Sequence, residues 1–191
     1  MSLVLTSAPA VEPVPVAEAK AHLRLDHAGE DTLIATLIAT ARQHIEAALG
    51  LALITQSWSY RLDAWPKGGA VALPLRPVQA IGAVRVSAAD GAIVTLAPDR
   101  YLLDGAGVSP RLVATAPPWP RPGLAAQGIE IAFTAGYGNA GSAVPAPLRQ
   151  ALLLLVAHWY EHREPVQFGA VAAPIPDTAA TLLAPYRMVR L

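Results

Sequence analysis

A chain of 191 residues has room for one domain, or for one domain carrying a large insertion. Its 53% apolar content and mean hydropathy of +0.39 exclude a disordered chain, and 14 basic against 14 acidic residues leave no excess charge for holding nucleic acid by its phosphates. With no cysteine there is no disulfide framework, no thiol nucleophile and no cysteine-ligated zinc.

The opening stretch MSLVLTSAPAVEPVPV lacks a basic n-region, so it does not read as a signal peptide. Three prolines and no period predict an extended arm over residues 1–15. A short helix is expected near 16–25, with Val16, Ala19 and Leu23 on one side. The polar loop DHAGED follows, and its Asp31 suits an N-cap. The second helix, 32–49, puts Leu33, Leu37, Ala41, Ile45 and Ala48 at three-to-four-residue spacing, and Gly50 is placed for a left-handed C-cap.

Beyond Gly50 the period changes. Trp58, Tyr60 and Leu62 alternate with polar residues, as in a half-buried strand, and further strands are predicted at 71–75, 81–87, 93–96, 101–103, 111–113 and 129–133. Asp90-Gly91 marks a hairpin, and the prolines of ATAPPWPRPG (114–123) keep that stretch out of a central strand. The helical period returns at Pro147 and runs to about 163, before Pro165. Leu152 to Leu155 point to all sides of this helix, which must then be buried all round, by the rest of the chain or by a neighbouring subunit. A Gly/Ala/Pro-rich linker and a short amphipathic helix, 177–183, complete the chain. The apolar run 151–157 falls short of the roughly 20 residues that span a bilayer. The expectation is a soluble, intracellular chain with no membrane anchor.

The fold class predicted is α+β: a small helical bundle with an antiparallel β insertion between its second and third helices. A single domain is expected over 1–191, with its helical part at 15–50 and 145–191 and the insertion at 52–137.

Four groups of residues look chemical. His158, Glu161 and His162 fit H-x-x-E-H, in which two imidazoles one helical turn apart share a metal beside a general base. A catalytic zinc needs a third protein ligand, and only Glu164 and Asp177 offer carboxylates downstream, so a polar helix end is the preferred reading. Gly136, Gly138 and Gly141 match G-x-G-x-x-G, but Ser142 to Pro147 separate them from the helix, which favours a tight turn over a dinucleotide site. Asp26, Glu30 and Asp31 lack the alternating oxygens of a calcium loop, while Asp63, Asp90, Asp99 and Asp104 are scattered. Trp58, Trp65 and Trp119 are either a sugar-stacking face or core anchors.

Over nearly its whole length the chain resembles the head–tail connector (adaptor) proteins of long-tailed bacteriophages and phage-derived gene transfer agents. The residues that carry this are VAEAKAHLRLDHAGEDTLIATLIATARQHIEAALG with LALITQSW, then IEIAFTAGYGNAGSAVPAPLRQALLLLVAHWYEHREPV and the terminal LLAPYR. Between about 64 and 125 the likeness is only one of strand-and-turn character. The resemblance implies a structural protein of the particle's neck, made in the host cytoplasm, with no enzyme activity, metal or cofactor. It implies a homo-oligomeric ring, a dodecamer, on the portal protein, which extends the DNA channel and gives the stopper or tail-completion protein a docking surface. Double-stranded DNA would pass through without sequence-specific contact. It also implies a portal contact at Leu182, Leu183, Pro185, Tyr186 and Arg187. A zinc metallohydrolase using the H-x-x-E-H segment and a carbohydrate-binding β module are the alternatives.

Overall fold

The computed structural model describes residues 1–105, 109–115, 118–162 and 176–188. Among the described residues four helices and two antiparallel sheets give the α+β class, and the chain divides into two compact units.

One unit comprises Met1–Pro9 and Gly50–Tyr137. Its strands are β1 (Ser2–Ser7), β2 (Gln56–Leu62), β3 (Ala70–Ala72), β4 (Val78–Ser87), β5 (Ile93–Thr95), β6 (Tyr101–Asp104), β7 (Arg111–Ala114) and β8 (Ile129–Ala135). They form a five-stranded sheet, β1-β2-β8-β4-β5, and a three-stranded one, β3-β7-β6. Alternation along β8 sends Ile129, Ile131, Phe133 and Ala135 into a core shared with Tyr60, Leu62 and Val84, while Val71 and Leu112 enter it from the smaller sheet. The Asp90-Gly91 hairpin forms as predicted: Gly91 takes φ +84°, and the Asp90 carboxylate accepts the Ala92 amide at 2.9 Å.

The first residues correct the expected arm. Ser2–Ser7 pair antiparallel with β2, from Ser2 opposite Arg61 to Ser7 opposite Ser57. All three prolines follow Ser7, so the segment before them keeps every amide that a ladder needs.

On the polar face of the larger sheet, Glu130 of β8 accepts Ser59 Oγ at 2.8 Å and Arg85 Nη1 at 3.2 Å. The buried Ser59 hydroxyl, aided by Arg85 and Arg61, outweighs burial and holds this carboxyl below its usual range. A depressed folded-state pKa stabilises the protein above the unfolded value of about 4.3, and this contribution disappears as pH falls through the folded value. Glu130→Gln is therefore expected to cost stability at pH 7 and to narrow its gap from wild type progressively below about pH 4.3. Denaturant midpoints measured from pH 3 to pH 7 check this.

The other unit, Ala10–Leu49 with Gly138–Leu191, is helical where described. Its helices are α1 (Val16–Leu23), α2 (Asp31–Leu49), α3 (Ala146–Glu161) and α4 (Asp177–Leu183). Helix α1 ends two residues early because Arg24 turns left-handed at φ 58°, its amide bonding back to the Ala21 carbonyl and the Leu25 amide to that of Lys20. Asp31 opens α2 as its first helical residue, and its carboxylate receives Lys20 Nζ at 2.7 Å. Gly50 does take the left-handed φ of +64° at the other end.

The buried stripe of α2 is Ile34, Ile38, Ala41, Ile45 and Leu49: Ala41 and Ile45 are buried as expected, while Ile34, Ile38 and Leu49 take the places expected of Leu33, Leu37 and Ala48. Leu33 and Ala48 are exposed and Leu37 is half-buried. Both stripes satisfy helical spacing; what selects between them is Arg42, which lies on the buried side. Its Nε reaches Glu12 Oε2 and its Nη1 reaches Glu46 Oε2, both at 2.8 Å. Helix α3 buries Leu152, Leu153 and Leu155 and leaves Leu154 half-buried, close to the all-round burial expected.

Candidate docking surface

The C-terminal segment starts at Pro176, whose carbonyl accepts the amides of Ala179 and Ala180 at the first turn of α4. Helix α4 packs on α3 through Ala179 and Leu183, which is only 8% exposed. A single turn, Ala184–Tyr186, follows it. Of the five residues assigned to a partner contact, Leu183 is therefore committed to the chain's own core. Leu182 and Tyr186 are half-buried, and Pro185 and Arg187 are exposed. Beside them opens a cleft of about 410 Å³ in the helical unit. Among the described residues His44, Ala48, Leu49, Leu155, Ala180, Leu183 and Arg187 line it.

The other groups singled out in the sequence are not brought together. His158 is half-buried, and its ring centroid lies 4.7 Å from that of His162. His162 and Glu161 are exposed, and His162 Nδ1 donates at 2.9 Å to the His158 carbonyl, which orients the ring along its own helix. Among the described residues no three His, Asp or Glu side chains converge on a metal-sized site. Glu164 and Pro165 lie outside the described residues.

Two glycines of the segment are required by close backbone of the same chain. A Cβ on Gly136 would lie 2.5 Å from the Ile54 carbonyl carbon and the Thr55 nitrogen, and one on Gly141 would lie 2.4 Å from the Pro13 oxygen. Glycine is needed at both positions for close packing within the chain, the tight-turn reading.

Trp65 and Trp119 stack on each other at 4.2 Å, and their indole N–H groups donate to the carbonyls of Pro120 and Gly69. Rings that cover each other in this way are anchors rather than a sugar platform. The acidic residues are dispersed. Glu30 accepts the Tyr160 hydroxyl, Asp63 accepts the Gln127 amide at 2.8 Å, and Asp104 pairs with Arg111 at 2.6 Å.

A family model described as "Head completion protein" matches residues 14–189. The chain belongs to this family. Among solved structures, it is similar to a chain in "Virion of native gene transfer agent (GTA) particle", with 32% identity, a TM-score of 0.87, and coverage of 100% of this chain and 97% of the other. A chain in "Neck of empty GTA particle computed with C6 symmetry" matches with the same values. One in "Neck of native GTA particle computed with C12 symmetry" matches at 31% identity and a TM-score of 0.85 over the same shares. No curated protein matches.

As a head completion protein this chain is a structural component of the head–tail neck and not an enzyme. The connector resemblance carried in AGYG through HWYEHRE thus holds for the fold class and the role. Two features of this head completion protein escaped the sequence reading. One is the Arg42 ion cluster, whose only local signal is the Arg42/Glu46 spacing of one helical turn. The other is the cleft, whose residues come from three helices and carry no shared motif.

Proposed function

We propose that copies of this protein assemble as a ring in the neck of a phage-like particle, seated on the portal vertex. There they extend the DNA channel and offer the stopper or tail a docking surface. The observation that carries this is a likeness along the whole chain to chains of two gene transfer agent neck structures, 32% identity and a TM-score of 0.87 for the one computed with C6 symmetry and 31% and 0.85 for the one computed with C12 symmetry. The order of elements supports it, with helices α1 and α2, then strands β2 to β8, then α3 and α4. This order is in keeping with the helical bundle with a β insertion that the connector reading expects. Zero net charge suits a conduit in which DNA must slide rather than bind.

The portal contact is carried by the segment around Leu182, Leu183, Pro185, Tyr186 and Arg187. Leu183 anchors that segment internally and Leu182, Pro185 and Tyr186 present its apolar side. Removing the whole tail would also strip Ala179 and Leu183 from α3, so substitutions are the cleaner test. Pro185→Asp combined with Leu182→Ser should weaken capture by the particle's portal at least tenfold, with the melting temperature within a few degrees of wild type. Undiminished capture by that folded variant would remove the tail from the portal contact.

A further inference from the structure

The larger sheet is open at both ends. In the order β1-β2-β8-β4-β5, strands β1 and β5 each have a neighbour on one side, and among the described residues no strand pairs with the other side. At each end two adjacent apolar residues are exposed: Val4 by 45% and Leu5 by 43% on β1, Ile93 by 66% and Val94 by 52% on β5. Neighbours in a strand point to opposite faces, so both edges are bare on both faces at once. A partner docked on one face of the sheet would cover one member of each pair. A strand laid alongside the edge covers both.

The backbone is set for such an addition. Ala88 N donates to Ala92 O and Leu96 N to Val84 O, both at 2.8 Å. By the alternation of an antiparallel ladder, Val94 then turns its polar groups to β4, while Ile93 and Thr95 aim N–H and C=O outward. On β1 the run Ser2–Leu5 pairs with β2 without a break, so the two edges offer straight stretches of similar length. Free edges are commonly guarded by charged side chains or proline. Neither Ser2–Ser7 nor Ile93–Thr95 contains either.

Strand direction and ring symmetry indicate what lies there. Each step from β1 to β2, β8, β4 and β5 is antiparallel, so after four reversals β1 and β5 run the same way. In a closed ring a patch on one copy meets a different patch on the next. The two ends of one sheet are different patches that present the same unpaired backbone groups, with no charge on either to oppose their meeting. In a sixfold or twelvefold ring, the symmetries of the similar neck structures, the next copy is turned by a sixth or a twelfth of a circle. Its β1 therefore meets β5 running the same way rather than reversed.

We infer that β1 of each copy adds alongside β5 of the next as a parallel strand, joining the five-stranded sheets into one belt around the ring. This rests on the ring reading above, and it names the contact that joins the protomers.

The chain contains no cysteine, so introduced pairs report without background. Val4 lies opposite Ser59, Ile93 opposite Ser87 and Thr95 opposite Arg85, which puts all three on the face of Glu130, whereas Val94, opposite Val86, is on the other face. Within one copy the two edges are four strand spacings apart, about 19 Å, beyond the reach of a disulfide. The full chain carrying Val4→Cys with Ile93→Cys, or Val4→Cys with Thr95→Cys, is assembled on the particle's portal, oxidised and run without reductant. At least one of these same-face pairs should give a ladder of covalent multimers of this chain, collapsed by reductant. Val4→Cys with Val94→Cys, on opposite faces, should give at least tenfold less, and each single-cysteine variant no ladder. As a second measurement, Thr95→Pro removes an outward N–H that β4 does not use. It should lower ring yield at least tenfold while the isolated chain keeps its melting temperature within a few degrees; if this variant unfolds, the cross-links decide alone. Rings that form normally yet give no same-face ladder overturn the edge contact alone. A cross-link from residue 4, 93 or 95 to a different neck protein overturns it too, by giving the edge another occupant. A wild-type chain that binds portal and never forms rings overturns the ring reading together with this one.

Discussion

Arg42→Ala is expected to lower the stability of the helical unit by about 3–5 kcal/mol, a loss far beyond that of a surface ion pair. The Arg42 side chain is 9% exposed and sits between Ala41 and Ile45 on the buried stripe of α2. Burial by itself lowers its pKa, but the hydrogen bond to Glu12 and the charges of Glu46 and Glu12 more than offset this and raise it above the ordinary value. Glu46 is only 12% exposed, so without the guanidinium it becomes a nearly buried carboxylate with its main countercharge gone. Glu12, at 32% exposed, can be rehydrated, and Glu12→Gln should cost only about 1 kcal/mol. Arg42→Met with Glu46→Met removes both members of the deeper pair and should recover much of the loss, because an apolar pair of similar volume fits such a site. Urea unfolding of the three variants separates these cases. Equal losses in Arg42→Ala and Glu12→Gln would mean that the cluster is a surface pair.

The Arg42 cluster also explains what the sequence could and could not disclose. Strands β2 and β8 were legible because Trp58, Tyr60 and Leu62, or Ile129, Ile131 and Phe133, alternate with polar neighbours on a half-buried ladder. Gly50 and Asp90-Gly91 were legible because a left-handed φ is a local demand that few residues meet. The buried side of α2 was not legible, since Leu33 with Leu37 and Ile34 with Ile38 satisfy the same period. The choice depends on Glu12, a partner 30 residues away that lets Arg42 turn inward. The division into two sheets was hidden for a similar reason. Strand β8 lies between β2 and β4, and its register, Trp58 opposite Phe133 and Ile81 opposite Phe133, is set by contacts distant in the chain. The candidate surface was legible only through family resemblance. Apolar residues at 182–186 look alike in sequence, whereas the fold buries Leu183 and leaves Pro185 in solvent.

Gly136→Ala is the second substitution with a large expected effect, and it tests the glycine segment directly. Gly136 has φ +140°, a conformation that costs an L-residue about 1–3 kcal/mol. The new Cβ would also meet backbone, the Ile54 carbonyl carbon and Thr55 nitrogen at 2.5 Å, in a place already fixed by Gly136 N donating to Pro77 O at 2.9 Å. Overpacking of that kind adds about 1–3 kcal/mol. The two together predict a loss of about 2–6 kcal/mol and a melting temperature lower by about 10 °C. Two comparison variants divide the effect. Gly91→Ala meets a positive φ with open space around it and should show the strain alone, while Gly138→Ala meets Ala143 Cβ at 2.7 Å and should show overpacking without the strain. The ordering Gly136 above both follows only if residues 54–55 press against the turn. If the segment were instead an open phosphate cradle, Gly136→Ala would leave the melting temperature near that of Gly91→Ala and abolish nucleotide binding. Calorimetry with and without dinucleotide distinguishes a turn packed for stability from a site kept open for a ligand.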